Sequence, residues 1–295
     1  MAIVKSKYEK SIALKDDKFS VDLISSYSLC LMVSFQELVV TVYHDYENRY
    51  LILDHYTFKD VYTSLQLTEY LAEAFDQHHC LQAGFWKEIK VVVSHPRFSL
   101  IPSSLFSEHL AEDYMSINTS FSSAQERVAY YAHEHAEVVN VFAVDRLLEK
   151  WLAEQYPGKP MRFCHQTSAM IEGAINGISA SSYQEVLLHA AEKTMCIVLV
   201  NNGKPEYVNV FNYSGPEDLA YFTMFIFKEL NLNPETTPLT LYGQVSKNTV
   251  AYRYLLKYIR HITFGHRPVG QFFSYKFDEL PDHHYFDIFN QHHLK

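Results

Sequence analysis

Hydrophobic positions between residues 183 and 243 follow a clear order of predicted elements. Three apolar segments of strand length come first, at Tyr183–Ala191, Thr194–Asn201 and Lys204–Tyr213. A helical stripe follows at Pro216–Leu230, and a last apolar run lies at Leu239–Tyr242. Short runs rich in β-branched residues predict strands, and apolar residues spaced three or four apart predict a helix. This stretch therefore predicts three consecutive strands, a helix and a fourth strand.

The same order of elements occurs earlier in the chain. The predicted strands there are Ser26–Ser34, Glu37–His44 and Tyr50–Phe58. A helix follows at Ser64–Asp76, with Thr63 or Ser64 as its N-cap. The run Ile89–Val93 is then typical of a strand buried on both faces. The two copies share almost no residue identities, so the predicted repeat depends on the order and length of the elements.

The segments around the two copies are less regular. Residues 1–20 are polar and predicted to be peripheral, and residues 96–135 are predicted to be an insertion because the hydrophobic pattern loosens there. The remaining predicted elements are the strands Val138–Val144, Arg162–His165 and Ile259–Phe264 and the helices Arg146–Tyr156, Gln166–Ile178 and Asn248–Tyr258. Asp145 is the predicted N-cap of the helix that follows it. Gly265–Lys295 is predicted to be a tail whose aromatic segment Tyr285–Phe289 packs on the body.

The repeat predicts an α/β fold with mixed sheets and two similar domains. The first domain covers residues 20–180 and carries the insertion near residues 96–135. The second covers residues 181–295 and ends in the C-terminal tail. Ligand sites commonly form where two such domains meet, so a cleft between them is the expected place for a site.

Composition and charge restrict the function classes. Hydrophobic residues make up 48% of the 295 residues and charged residues 20%, which is typical of a soluble globular protein. The apolar runs are far shorter than the roughly 20 residues of a membrane span, and no signal-peptide pattern is visible. The net charge of −9, without a basic run, argues against nucleic-acid binding. Four cysteines without a CxxC pair indicate a reducing compartment, so we expect a cytoplasmic location.

The runs Ser34–Val42, Lys90–Ser94 and Met195–Tyr213, with the duplicated order of elements, resemble the actin-like ATPase superfamily. This superfamily includes actin, sugar kinases, heat-shock chaperones and bacterial pilus-assembly proteins. More narrowly, the chain is similar to an uncharacterised bacterial family with a divergent actin-like fold, distantly similar to the pilus-assembly proteins. The resemblance covers residues 26–264 and implies two duplicated ribonuclease-H-like β-β-β-α-β-α-β domains around a cleft.

The resemblance also implies where a nucleotide would bind. Active members hold Mg-ATP between two hairpins with Asp-x-Gly turns, because glycine lets backbone N–H groups approach phosphate and the carboxylate orients the metal's water shell. The first turn here offers Ser34 and Gln36, the second offers Glu192 and Lys193, and neither contains glycine. Gly243 stands alone where the superfamily has a Gly-Gly pair. These five residues are the candidate cofactor-binding positions, and we expect no tight Mg-ATP site, no ATP hydrolysis and no other cofactor.

Other clusters of reactive side chains predict no site. The segment His133–His135 lacks the spacing of HExxH, and neighbouring histidines such as His78–His79 are expected to diverge, so no metal site is predicted. Neighbours on a strand point to opposite faces, so Cys164–His165 predicts a buried cysteine beside an outward histidine rather than a nucleophile and its base. A ribonuclease-H-like nuclease needs clustered carboxylates for its metals, and the first predicted strand carries none.

Two function classes fit these observations. The first is a non-catalytic actin-like module that acts as a cytoplasmic scaffold and binds a protein partner, a membrane complex included, or its own copy. Its candidate contact residues are the aromatic pairs Tyr130–Tyr131, Phe272–Phe273 and Tyr285–Phe286. The second is a divergent ATPase or kinase that binds a nucleotide or sugar through the five candidate positions in nonstandard roles. Titration with Mg-ATP and Mg-ADP distinguishes the two classes.

Overall fold

The computed structural model describes residues 8–177 and 184–295. The strands, in chain order, are Tyr8–Lys15 (β1), Tyr27–Val33 (β2), Glu37–His44 (β3), Arg49–Phe58 (β4), Glu88–Val93 (β5), Phe98–Pro102 (β6), Glu126–His133 (β7), Val138–Asp145 (β8), Met161–His165 (β9), Gln184–Ala190 (β10), Thr194–Asn201 (β11), Lys204–Asn212 (β12), Leu239–Gly243 (β13) and Ile262–Phe264 (β14). The α-helices are Ser64–Gln77 (α1), Ala111–Asn118 (α2), Arg146–Gln155 (α3), Gln166–Gly177 (α4), Pro216–Glu229 (α5), Val250–Leu255 (α6) and Phe286–Phe289 (α7). The predicted ends at Ile178 and Tyr183 lie outside the described residues.

The chain folds into two compact units. Unit 1 takes in the described residues up to Ala132, together with Val139–Gln166 and Gly270–Glu279. Unit 2 takes in the described residues of His133–Val138, Thr167–Val269 and Leu280–Lys295. The last part of the chain therefore supplies residues to both units.

The main sheets of the two units have the same topology. The sheet of unit 1 has the order β1-β4-β3-β2-β5-β9, and the sheet of unit 2 has the order β12-β11-β10-β13-β14. In both, the first three strands of the repeat form an antiparallel meander. The fourth strand pairs parallel with the first, and the fifth pairs parallel with the fourth. Without β1, the two orders are identical strand for strand. This identity confirms the predicted duplication.

The apolar patterns that predicted the repeat are the patterns that the sheets bury. Every residue of β2 is buried, and so are the last five residues of β10. In unit 2, helix α5 turns Leu219 and Ile226 onto the sheet, where they pack with Ile197 and Leu241. Burial of side chains of this size contributes about 1.5–3 kcal/mol each relative to exposure, so these strands and helices hold each other in place.

Two helix starts follow the predicted caps. The Thr63 side chain accepts a hydrogen bond from the Gln66 N–H, and the Gln66 side chain bonds back to the Thr63 backbone, which forms a capping box for α1. The Asp145 carboxylate accepts a bond of 2.9 Å from the Leu148 N–H at the start of α3. Both N-cap predictions are confirmed.

The segment predicted as an insertion contains regular structure that the sequence pattern did not predict. Strands β6, β8 and β7 form a separate three-stranded sheet, on which α2 packs through Met115 against Val141 and Ala143. Most residues of β7 are partly or fully exposed, so its sequence shows little hydrophobic alternation. The strand predicted at Val138–Val144 therefore belongs to this smaller sheet rather than to the main one.

Three further differences lie at the edges of the repeat. The polar N-terminal segment contains β1, which pairs antiparallel with β4 at the edge of the first sheet. Strand β14 and helix α6 are shorter than predicted, since residues 256–261 form turns and irregular structure between them. Among residues 8–177 and 184–295, no helix combines the length and the apolar character that a membrane crossing needs.

Candidate functional site

The carboxyl ends of the parallel strands form the candidate site of unit 1. Strands β2, β5 and β9 run parallel, and their last residues, Val33, Val93 and His165, are in register. Ser34, Ser94 and Gln166 follow these residues directly and so lie in a row at this edge of the sheet. Ligands of open α/β sheets bind outside the carboxyl ends of the strands.

The row carries polar groups but no charge. The Ser94 hydroxyl donates a hydrogen bond of 2.7 Å to Gln166 Oε1, and Gln166 is only 3% exposed. The Ser94 N–H donates to Val33 O at 3.0 Å, which continues the ladder between β2 and β5. Sequence reasoning singled out Ser34 but missed Ser94 and Gln166, because only the strand register brings the three together.

The turn between β2 and β3 is closed by its own serine. Ser34 Oγ accepts hydrogen bonds from the N–H groups of Gln36 and Glu37, both at 3.1 Å. The Ser34 N–H donates to Glu37 O at 3.0 Å, and Gln36 O accepts a bond of 2.7 Å from the Phe58 N–H. The N–H groups of Ser34, Gln36 and Glu37 are thus engaged within the chain.

His165 is fully buried and His95 is partly buried beside the row. His95 Nδ1 accepts from the Arg97 N–H at 3.2 Å and its Nε2 donates to Ala143 O at 2.9 Å, which defines a neutral ring. Burial, and then the Arg97 charge, lowers the pKa of His95 to about 4. The His165 Nε2 donates to His95 O at 2.9 Å, and burial holds the pKa of His165 well below its usual value.

The prediction of an outward His165 is wrong. The side chain does point to the opposite face from Cys164, but Phe98 and Phe142 cover that face and leave His165 fully buried. Burial raises the pKa of the Cys164 thiol to about 12, so it stays protonated at neutral pH. The pair has no features of a nucleophile and base.

In unit 2, the carboxyl edge carries Gly243. Strands β10 and β13 run parallel with Ala190 opposite Gly243. Gly243 has φ +79°, and a β-carbon there would overlap the Ala190 carbonyl oxygen. Its N–H donates to His283 O at 2.8 Å, and the neighbouring Gln244 N–H donates to Ala190 O at 2.7 Å. A glycine is therefore required by the close approach of the two backbones, whatever else it does.

Glu192 and Lys193 form the turn between β10 and β11, next to the strand end that carries Ala190. Both side chains are exposed. The Ala191 N–H donates to Thr194 O at 2.8 Å and the Tyr213 N–H donates to Lys193 O at 3.0 Å. Unit 2 thus holds Glu192, Lys193 and Gly243 at one edge of its sheet.

Ser34 and Gln36, the other two candidate cofactor-binding positions, belong to unit 1. The five residues are therefore divided between the units, two in the first and three in the second.

The C-terminal segment, residues 280–295, covers the carboxyl edge of unit 2. His283 Nε2 donates to Val245 O at 2.8 Å, and the Phe286 ring packs on the Tyr242 ring with centroids 3.9 Å apart. His189 Nε2 lies 3.2 Å from Asp287 Oδ1, and both side chains are buried. Phe286 is buried in this packing, so it is not the exposed contact residue that the sequence predicted.

A protein-family profile described as "Protein of unknown function (DUF3822)" matches residues 16–262. The chain belongs to the DUF3822 family. No curated protein matches it.

Among solved structures, a Bacteroides thetaiotaomicron VPI-5482 protein of actin-like ATPase fold and unknown function is similar at 22% identity, with a TM-score of 0.72, over 84% of this chain and 93% of that one. The DUF3822 chain thus has an actin-like ATPase fold. The PilM-PilN type IV pilus biogenesis complex is similar at 13% identity and a TM-score of 0.49, over 84% of this chain and 90% of that one. The ethanolamine utilization protein EutJ from Carboxydothermus hydrogenoformans is similar at 8% identity and a TM-score of 0.45, over 82% of this chain and 86% of that one.

One histidine cluster of the DUF3822 chain has the spacing of a metal site. The ligand atoms of His78, His79 and Cys80 lie within 4.8 Å of one another. However, His78 Nε2 donates to Asp54 at 2.7 Å, and its Nδ1 accepts from the N–H groups of Cys80 and Leu81. A metal would have to displace these bonds. The prediction that the two histidines diverge is wrong, because they lie in the turn after α1, where their rings stack 5.3 Å apart.

The second histidine segment, His133–His135, spans the end of β7 and the turn after it. His133 is buried, and its Nδ1 lies 2.6 Å from Glu172 Oε1 on α4. Glu134 and His135 are exposed in the turn that follows β7. The two histidines of this segment therefore have different surroundings. The contact between His133 and Glu172 is a structural contact within unit 2.

Proposed function

We propose that this DUF3822 protein is a non-catalytic actin-like module that acts as a protein-binding scaffold in the cytoplasm. The supporting observation is that backbone N–H groups are already hydrogen-bonded at the turn Ser34–Glu37 of unit 1 and at Gly243 of unit 2. In both units, groups of the chain itself occupy donors that a nucleotide would need.

In unit 1, the occupied donors lie in the turn after β2. Backbone N–H groups that point at a common centre form an anion site only when they are free to do so. Here the Ser34 hydroxyl accepts from the N–H groups of Gln36 and Glu37. Phosphate binding would require Ser34 to leave this position, and the turn would lose two hydrogen bonds.

In unit 2, the occupied donor is the Gly243 N–H. It donates to the carbonyl of His283 in the C-terminal segment, which is anchored further by the Tyr242–Phe286 stacking and the His189–Asp287 pair. A ligand at Gly243 would have to displace this segment. The adjacent turn offers Glu192 and Lys193 but no glycine, so its backbone cannot wrap closely around phosphate.

Charge at the carboxyl edge of unit 1 supports the same proposal. Mg²⁺ is held in nucleotide sites by carboxylates and phosphate oxygens. The row Ser34, Ser94 and Gln166 carries no carboxylate. The acid of the adjacent turn, Glu37, has its carboxylate 2.8 Å from His55 Nε2. A metal would compete with that contact.

A second candidate function is binding of a nucleotide or sugar through nonstandard contacts. The partly buried hydrogen bond between Ser94 and Gln166 favours it, because neutral hydroxyl and amide groups at the carboxyl edge are suited to sugar hydroxyls. In this function, Ser94 and Gln166 would bind hydroxyl groups of the ligand at the carboxyl edge of unit 1.

Calorimetric titration with Mg-ATP and Mg-ADP tests the proposal. We expect flat traces from a folded protein. Saturable heat would overturn the proposal that the protein is a scaffold alone, and its loss in Ser94→Ala would assign the binding to the row in unit 1. Gly243→Trp is unsuitable as a probe, because any side chain at Gly243 overlaps Ala190 O and disturbs the sheet. The matched control is Ser104→Ala, which removes an exposed hydroxyl from the turn after β6.

A further inference from the structure

The outer edge of the sheet in unit 2 differs from the corresponding edge in unit 1. Strand β12 ends the sheet of unit 2, and within the described ranges no strand pairs with its outer side. Its counterpart in unit 1 is β4, the third strand of the same meander. On β4, the corresponding side is covered by β1, so the two copies of one topology differ by one added strand.

Unit 1 shows how such an edge accepts a strand. Strand β1 pairs antiparallel with β4, from Tyr8 opposite Phe58 to Lys15 opposite Ile52. The Tyr8 ring packs edge-on against Tyr56 at 5.3 Å, and its hydroxyl donates to Gln77 at the end of α1. The added strand therefore contacts both the sheet edge and the helix that follows the meander.

The backbone of β12 is oriented for the same pairing. The Tyr213 N–H donates to Lys193 O across the hairpin, and N–H direction alternates along a strand. The N–H groups of Val208 and Val210 therefore point away from β11. In agreement, the Val210 N–H donates to the side chain of Asn209 at 2.8 Å. This local bond can give way to an interstrand bond, because backbone donors are best satisfied within a ladder.

The side chains next to β12 form an exposed aromatic row on α5. The Phe211 ring of β12 stacks on Phe222 of α5, with centroids 4.9 Å apart. Tyr221 packs against Phe222 and is 64% exposed, and Phe225 is 40% exposed one turn further along. An apolar row that begins at an unpaired sheet edge is typical of an interface.

The two outermost strands also differ in the features that prevent edge pairing. Charged side chains and bulges protect natural edge strands. Strand β1, which is the outermost strand of unit 1, carries exposed Glu9, Lys10 and Lys15 and a register shift between Lys10 and Ile12. In β12 such features are confined to the start of the strand, where Lys204 and Glu206 are exposed and the register shifts near Pro205. The segment 207–211 has no charged residue and keeps a regular register.

We propose that β12 pairs antiparallel with β12 of a second copy of this chain, with Val208 on the two-fold axis. In this register Glu206 lies opposite Val210 and Lys204 lies opposite Asn212, so no like charges face each other. The pairing is self-complementary, as a two-fold interface requires. It joins the two sheets into one and brings the aromatic rows of both copies beside the axis.

The pairing rests on the proposed function in one respect: the protein that the scaffold binds is a second copy of the same chain. The two can fail separately. A nucleotide titration decides whether the chain binds ATP, and the molar mass in solution decides whether β12 pairs.

Light scattering during size-exclusion chromatography tests the pairing across a concentration series. We expect the 295-residue chain to approach twice its mass of 34.4 kDa as concentration rises. Val208→Pro removes an N–H that points away from β11, so the fold keeps its own ladder while the dimer is lost. Val208→Lys places two like charges opposite each other at the axis and should also give a monomer.

Two results would overturn the proposal. One is a wild-type chain that stays at 34.4 kDa at every concentration. The other is a dimer that both Val208 variants leave intact, which would place the interface elsewhere. Val269→Lys is the matched control, because Val269 is 96% exposed outside the strands, and this variant should dimerise like the wild type. Circular dichroism of each variant verifies that a lost dimer is not a lost fold.

Discussion

The two main sheets have one topology but protect different edges. In unit 1, β1 covers the outer edge of the meander, while the carboxyl edge keeps a row of neutral polar residues, Ser34, Ser94 and Gln166. In unit 2, the outer edge at β12 has no strand beside it within the described residues, while the C-terminal segment covers the carboxyl edge at Gly243. Each unit thus has one edge closed by chain from outside the repeat.

Because the two sheets leave different edges open, the duplicated core alone does not determine what each copy binds. The hydrophobic pattern specifies five strands in one order, and short additions at the ends of the chain decide which edges stay accessible. At the motif positions, unit 1 satisfies its turn with a hydroxyl of the same turn, and unit 2 satisfies Gly243 with a carbonyl from the C-terminal segment. Two unrelated local solutions reach the same result, which is that groups of the chain itself occupy backbone donors at both positions.

The largest expected effect concerns the glycine that unit 2 has and unit 1 lacks. Gly243→Ala should lower the free energy of unfolding by at least about 3 kcal/mol, because the residue combines a left-handed backbone with a β-carbon that overlaps Ala190 O. Urea unfolding measures the change. In unit 1, the equivalent strand end carries Val93 and Ser94, so Ser94→Ala should have a much smaller effect.

Gly203→Ala is the matched control for backbone strain. Gly203 has φ +75° but open space around its β-carbon position, so alanine there should lower stability by only about 1 kcal/mol. Equal losses for Gly243→Ala and Gly203→Ala would mean that the contact with Ala190 contributes nothing. The contrast between the two carboxyl edges would then need another explanation.

The repeat was predictable because both main sheets bury their strands. Runs such as Ile89–Val93 and Thr194–Asn201 are apolar along most of their length, and both are strands of the main sheets. Strand β1 was missed because most of its exposed residues are polar. Its pairing with β4 holds it in the sheet, and the hydrophobic pattern of one segment does not reveal such pairing. Strand β7 was missed for a similar reason, since it lies in a small sheet with much exposed surface.

The candidate site was predictable only in part. Motif comparison found Ser34, Gln36, Glu192, Lys193 and Gly243, because turns follow strands in sequence. Ser94 and Gln166 depend on the register of three strands that are far apart in the chain, so no local signal identifies them. The contact of Gly243 with His283 joins residues 40 positions apart, and the aromatic character of Tyr285–Phe289 predicted that the segment packs but not where.

An intermediate effect is expected from His95, a partly buried histidine of unit 1. The folded pKa of His95 is about 4, below its unfolded value of about 6.5. Because His95 is neutral in the folded protein, its contribution to stability is fully present above pH 6.5 and is lost as the pH falls toward 4. Between pH 7 and pH 5, His95 should account for about 2 kcal/mol of lost stability. His95→Asn should reduce the loss by about that amount.

Urea unfolding at both pH values measures this difference, and His109→Asn serves as its control. His109 is exposed, so its variant should keep the full pH dependence of the wild type. An unchanged pH dependence in His95→Asn would show that His95 takes up its proton without unfolding. In that event the carboxyl edge of unit 1 would be more accessible to water than the one covered by the C-terminal segment in unit 2.

The smallest expected effect compares the helices that follow the two meanders. Helix α1 begins with a capping box at Thr63, whereas α5 begins after Gly215, whose lack of a side chain leaves it without a side-chain cap. Thr63→Ala should therefore lower stability by about 1 kcal/mol, and Gly215→Ser should raise it by a few tenths of that. Thermal unfolding followed by circular dichroism measures both shifts. If Gly215→Ser lowers stability instead, the serine must crowd Glu217, whose carboxylate lies 3.3 Å from the β-carbon position, and the two helix starts differ in space as well as in hydrogen bonding.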